Sequence, residues 1–260
     1  MNILDKIVIN KKREVLSAKK RTSYTQLEES DLFQRDCYSF KDFLLDPVRT
    51  GIIAEFKRKS PSKGIINDRV SVKAVTNGYA AAGASALSVL TDRNFFMGKK
   101  ADLVAARQAN TIPVLRKDFM IDEYQVIEAK SLGADIILLI AAILTPAEID
   151  KLASLAKSLG LNVLLEVHNL EELERSINPK LDAIGVNNRN LADFTVSVET
   201  SYQLAPHIPQ EFLKISESAI SNPETIKQLK TAGFNGFLIG ENFMKQADPG
   251  LAMVEFVKEL

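Results

Sequence analysis

Apolar residues along this chain gather in short runs rich in β-branched side chains and do not alternate cleanly with polar ones. Parallel strands buried on both faces have this pattern. Eight such runs are read, at 51–56, 85–90, 112–115, 135–140, 162–167, 182–187, 213–217 and 236–240. Helical spacing fills the gaps between them, at 72–82, 123–132, 146–159 and 223–232, and each of these segments stops at a glycine: Gly83, Gly133, Gly160 and Gly233. A glycine there supplies the left-handed cap that ends a helix, and Pro146 and Pro223 suit a first turn. The repeating unit is therefore one strand plus one helix. Eight units close a (β/α)8 TIM barrel, and although an open doubly wound sheet shows the same alternation, eight units in this length fit the barrel better.

Ahead of the first strand, Ile3, Leu4, Ile7, Val8, Val15 and Leu16 follow helical spacing, with Lys11 and Lys12 interrupting the stripe. This is read as a basic helix with a solvated face, followed by a short second helix at 39–45 with Asp42 in its first turn. No linker separates them from the barrel. Residues 1–48 are expected to be a helical extension packed on a single domain spanning 1–260, and to cover the barrel mouth.

Lys plus Arg (33) balance Asp plus Glu (33) in the 260 residues, so no net field exists to hold a nucleic acid or an anionic membrane. Any anionic ligand must be held by local groups. Cys37 is the sole cysteine and no Cys/His group has zinc spacing, which favours a cytosolic, metal-free protein. The longest apolar run, 136–144, covers about half of the ~20 residues needed to cross a bilayer. The basic amino terminus lacks a signal peptide's continuous apolar region.

Barrel chemistry sits at the carboxyl ends of the strands, and here those ends are densely polar. Strand one ends Glu55-Phe56-Lys57 and runs into Arg58-Lys59-Ser60-Pro61-Ser62; strand three ends Arg116-Lys117-Asp118, and strand five Glu166-Val167-His168. Strand six ends Asn187-Asn188-Arg189-Asn190 and strand seven Glu217-Ser218. Residues two apart on a strand share a face, so Glu55 with Lys57, and Asn187 with Arg189, point into the mouth together. Lysines and glutamates buried side by side have shifted protonation equilibria, which supplies an acid and a base near neutral pH. Ser218-Ala219 before the helix at 223–232, and Gly240 before Glu241-Asn242-Phe243, would offer backbone N–H groups to a phosphate. His168 and His207 are read as structural for want of a carboxylate partner, and Cys37 as a core or surface thiol.

These strand ends, with Ile53-Ala54 before Glu55, Leu115 and Phe119 around the third, Leu165 before the fifth, Ile184-Gly185-Val186 before the sixth, Leu191 after it and Phe237-Leu238-Ile239-Gly240 in the eighth, resemble the indole-3-glycerol-phosphate synthase family of tryptophan biosynthesis. The resemblance runs in order through the whole barrel and the amino-terminal helices. It implies a cytoplasmic carboxy-lyase that closes 1-(2-carboxyphenylamino)-1-deoxyribulose 5-phosphate to an indole with loss of carbon dioxide and water, without cofactor or metal. By that resemblance Lys117 is the general acid and Glu166 the base or acid of the dehydration. Lys57 pairs with the substrate carboxylate, while Glu55 and Glu217 hold the lysines and hydroxyls in place. Asn187, Arg189 and Ser60 orient the anthranilate end, and Ser218, Ala219, Gly240 and Glu241 take the phosphate. A monomer is expected, with association to another enzyme of the pathway left open and no fused second enzyme.

Two positions depart from the family pattern: Ala219 where glycine is usual, and Asn242 where a small residue is usual. An alanine keeps its N–H donor but is expected to lose positive φ. The rival readings are another phosphosugar isomerase barrel, which would carry a cysteine at the end of strand one, and a non-catalytic scaffold barrel, against which Lys57, Lys117 and Glu166 argue.

Overall fold

A computed structural model describes residues 2–190 and 194–260; Leu191, quoted above after strand six, lies outside the described residues. Eight parallel strands form a closed barrel: β1 (Ile52–Phe56), β2 (Ala86–Leu90), β3 (Val114–Lys117), β4 (Ile136–Ile140), β5 (Asn162–Val167), β6 (Ala183–Asn187), β7 (Leu213–Glu217) and β8 (Gly236–Ile239). β1 pairs with both β8 and β2, which removes the open sheet from consideration.

Helices α1 (Ile3–Arg21), α2 (Tyr24–Glu28) and α3 (Phe40–Leu45) precede the barrel. Around it run α4 (Val72–Ala81), α5 (Arg93–Phe96), α6 (Lys100–Ala109), α7 (Glu123–Ser131), α8 (Pro146–Ser158), α9 (Leu170–Ser176), α10 (Glu199–Leu204), α11 (Pro223–Thr231), α12 (Glu241–Met244) and α13 (Pro249–Val257). The glycines that stop α4, α7, α8 and α11 all have positive φ, as their place in the sequence predicts. No helix among the described residues is long and apolar enough to cross a membrane.

Side chains that point inward, among them Ile53, Ala86, Leu115, Ile136, Leu138, Leu164, Ile215 and Leu238, fill the barrel interior. Those pointing outward, such as Ile52, Val89, Val163 and Ile184, pack under the helical ring. The amino-terminal helices close the two ends of that interior column. Ile7 of α1 joins it at the mouth, whereas Phe40 and Leu44 of α3 join it at the opposite end, where Leu44 packs against Gly236 at the start of β8. So the expected cover resolves into two parts, and only α1 reaches the mouth. Between them α2, a helix the hydrophobic pattern did not reveal, lies against α7 with Tyr24 edge-on to Tyr124. Its sequence signal is the capping box Ser23 to Gln26.

The far end is fixed by Asp135, fully buried, which accepts the N–H groups of Tyr38 and Val114 and pairs with Arg35 and Arg107 at 2.7 Å each. Charges also reach into the mouth. Lys11, read from the sequence as part of a solvated face, is 3% exposed and lies 2.9 Å from Asp92, 2.8 Å from Asp118 and 2.6 Å from Glu14. It does not break the apolar stripe of α1; it is the polar centre of the buried face.

Candidate active site

Every residue expected at the site lines one cavity of about 490 Å³ at the carboxyl ends of the strands. Lys117, the last residue of β3, is its centre. Its ammonium lies 2.8 Å from Glu166 Oε2 and 2.6 Å from Glu217 Oε2. Glu166 Oε1 accepts a hydrogen bond from Asn187 Nδ2 at 3.0 Å. On the opposite wall Lys57 Nζ lies 2.6 Å from Glu55 Oε1, and Ser88 Oγ donates to Glu55 Oε2 at 3.4 Å. Two glycines make room for the carboxylates: a Cβ on Gly185 would fall 2.3 Å from Glu217 Oε1, and one on Gly240 would fall 2.6 Å from Glu55 Oε1.

The buried charges set one another's protonation. Burial opposes a charged Lys117, but Glu166, Glu217 and Glu55 outweigh it and hold the ammonium well above the usual lysine range. Burial likewise opposes an ionised Glu166, yet Lys117 and His168 draw its carboxyl far below the usual range. For Glu217 burial wins. With repulsion from Glu166 and Glu55 it pushes the carboxyl up to about 7 despite Lys117. The two carboxylates that flank one lysine are thus of opposite character, which is how an acid and a base are obtained from like residues.

Ser60 and Arg189 stand at the rim. Ser60 Oγ accepts the Lys63 N–H at 3.2 Å and lies 3.3 Å from Ser62 Oγ, which in turn is 3.5 Å from the Arg189 guanidinium. Arg189 also lies 3.6 Å from Glu241. Glu241 begins α12 behind Gly240, and no side chain caps that helix. Asn242, the second departure from the family pattern, donates from Nδ2 to the Ser221 carbonyl at 3.3 Å and ties α12 to the turn after β7.

That turn corrects an expectation: Ala219 does not lose the left-handed conformation. Ser218 has φ 66° and Ala219 φ 60°, so two side chains sit where a glycine would be at ease. The cost for a non-glycine residue is about 1–2 kcal/mol, part of which glycine returns through its freer unfolded chain. Ala219→Gly is therefore expected to raise stability by about 0.5–1 kcal/mol, seen as a higher urea midpoint at unchanged slope. An unchanged or lower midpoint would show that the turn carries no strain there.

Sequence reasoning missed several groups. Ile3, Leu4 and Ile7 of α1 and Phe96 and Phe119 give the cavity an apolar side, and Lys245 also lines it. His168 does have carboxylate partners, contrary to expectation: Glu172 at 3.1 Å and Glu166 at 3.3 Å. The signal was Glu172 itself, four residues on, in the first turn of α9. His207 is exposed, and Cys37, half-buried, lies 3.2 Å from Lys130 and away from the cavity. Among the described residues no group of three His, Cys, Asp or Glu side chains is arranged to hold a metal ion.

A family model described as indole-3-glycerol phosphate synthase matches residues 4–256. A protein of that name from Bacteroides thetaiotaomicron is 49% identical over 259 residues, covering 100% of this chain and 99% of its own length. One from Laribacter hongkongensis is 45% identical over 256 residues, covering 97% of each chain. Among solved structures, one named "Native KDPGal structure" superposes with a TM-score of 0.56 at 14% identity, over 79% of this chain and 90% of its own, a likeness of fold alone.

Proposed function

The chain belongs to the indole-3-glycerol phosphate synthase family, and we propose that its barrel mouth closes 1-(2-carboxyphenylamino)-1-deoxyribulose 5-phosphate to indole-3-glycerol phosphate with Lys117 as the general acid. It is a carboxy-lyase of tryptophan biosynthesis. The observation that carries the residue assignment is Lys117 held between Glu166 and Glu217 in the cavity.

In this reading the ring carbon that bears the carboxylate attacks the ketose carbonyl, whose oxygen takes a proton from Lys117 and becomes a hydroxyl. Carbon dioxide then leaves, and its bonding pair returns to the ring system to quench the positive nitrogen. Glu166 removes the ring proton whose loss completes the indole, while the hydroxyl takes a proton from Lys57 and leaves as water. Lys57, placed by Glu55, faces the substrate carboxylate and assists proton transfer, while Asn187, Arg189 and Ser60 orient the anthranilate end. The phosphate goes to the backbone N–H groups of Ser218, Ala219, Gly240 and Glu241, the side chain of Glu241 being turned to Arg189. Ile3, Leu4 and Ile7 exclude water from the reacting end, which strengthens each of these charge interactions.

The proposal calls for no cofactor. It includes a cytoplasmic monomer, and residues 1–48 as an extension of a single barrel domain, supported by α1 and α3 sharing the interior core. Incubating purified protein with the anilino ketose phosphate while following indole fluorescence and released carbon dioxide tests it. One carbon dioxide per indole is expected, and folded protein that releases neither would overturn it.

A further inference from the structure

His168 follows the end of β5, and the first turn of α9 brings Glu172 back beneath it. Nδ1 lies 3.1 Å from Glu172 Oε2, and that same oxygen accepts the His168 backbone N–H at 2.8 Å. The backbone bond holds the Glu172 carboxylate in place, and that carboxylate in turn holds the imidazole. Its other nitrogen, Nε2, lies 3.3 Å from Glu166 Oε1, without the alignment of a hydrogen bond and buried from water. Asn187 Nδ2 reaches the same oxygen. Glu166 is therefore supported on both sides, by Lys117 on Oε2 and by His168 and Asn187 on Oε1. Glu217 is not: Lys117 holds its Oε2, and its buried Oε1 has no hydrogen-bond partner.

This asymmetry matters at one moment of the reaction. When Lys117 passes its proton to the ketose oxygen, both carboxylates lose their shared cation, and an unsupported Glu166 would itself take up a proton and cease to be a base. We propose that His168, clamped as an imidazolium by Glu172, is a positioning residue that keeps Glu166 ionised after Lys117 has given up its charge. The role rests on Glu166 being the base of the dehydration. Lys117 from β3, Glu217 from β7 and Arg175 from α9 are the other charged groups facing this cluster, and none of them is a second cation on Glu166 Oε1. Burial disfavours the charge on His168, but Glu166 and Glu172 overcome it and push the imidazole up to about 10.

With only two histidines in the chain, His207→Gln leaves a single imidazole to observe. In ¹⁵N NMR of that variant His168 is expected to remain an imidazolium at pH 8, and adding Glu172→Gln is expected to bring its titration down toward neutrality. In the kinetics, His168→Gln is expected to move the acid limb of kcat upward by about one pH unit or more, the scale of an opposite charge within a few ångströms, while KM changes little. A role in packing alone would lower the melting temperature and leave the limb in place. A neutral imidazole at pH 8, or an unshifted limb in folded His168→Gln, overturns the proposal. Glu166→Gln separates it from the reading beneath: lost turnover there with an unshifted His168→Gln profile removes the histidine's role alone, whereas fully active Glu166→Gln removes the base itself.

Discussion

Lys117→Met is expected to lower turnover at least about 100-fold, the scale of a positioned general acid, while the barrel stays folded. Methionine preserves most of the side-chain volume at the end of β3 but brings no proton to the ketose oxygen. It also removes the shared cation from Glu166 and Glu217, so both carboxyls rise in proton affinity, Glu217 from its already raised value of about 7. The base of the second step is weakened along with the acid of the first. Substrate binding should persist, because the carboxylate and phosphate contacts assigned to Lys57, Arg189 and the turn after β7 are left intact. Single-turnover kinetics beside a binding titration separate the two. A variant that keeps more than about a tenth of wild-type turnover would sink the assignment.

The second large effect is on stability. Lys11→Met leaves Asp92 and Asp118 buried without their common cation, and removing one partner of a buried pair costs about 3–5 kcal/mol. Asp118 keeps the Phe119 N–H, Thr91 and Arg116, while among the described residues the Asp92 carboxylate keeps the Phe95 N–H on Oδ1 and no hydrogen bond on Oδ2. Asp92 is therefore the more exposed to the loss, and Lys11→Met with Asp92→Asn should recover part of it. Since Lys11 also seats α1, whose Ile3, Leu4 and Ile7 line the cavity, KM should rise in the single variant even where it is fully folded. Urea titration checks the stability, and a change below about 1 kcal/mol would show that the cluster does not anchor α1.

How far the sequence reaches is clear from these residues. Each barrel strand was legible because burial on both faces leaves a dense apolar run, and Glu55, Lys57, Lys117, Glu166 and Glu217 of the cavity because each stands at or beside the end of such a run. The position of Lys11 was not legible, since its partners lie about 80 and 107 residues further along the chain and a lysine inside an apolar stripe reads locally as a break. Nor did spacing show that α3 closes the end of the barrel opposite to α1. Phe40 and Leu44 mark an apolar face, and which end receives it depends on the path of the chain past α7. His168 was misread for a different reason: its partner Glu172 stood in plain view one helical turn away, but only the closing of α9 brings the two together. At Ala219 the residue type argued against positive φ, and the tertiary constraints of the turn overrode that preference.

The central claim, that Lys117 protonates the ketose oxygen, is tested most directly by a crystal structure of Lys117→Met with the unreacted anilino ketose phosphate bound. The account predicts the ketose carbonyl oxygen beside the methionine side chain, the carboxylate between Lys57 and Arg189, and the phosphate on the turns at Ser218–Ala219 and Gly240–Glu241. A substrate bound with its carbonyl turned away from position 117, or with its phosphate at Lys57, would contradict it.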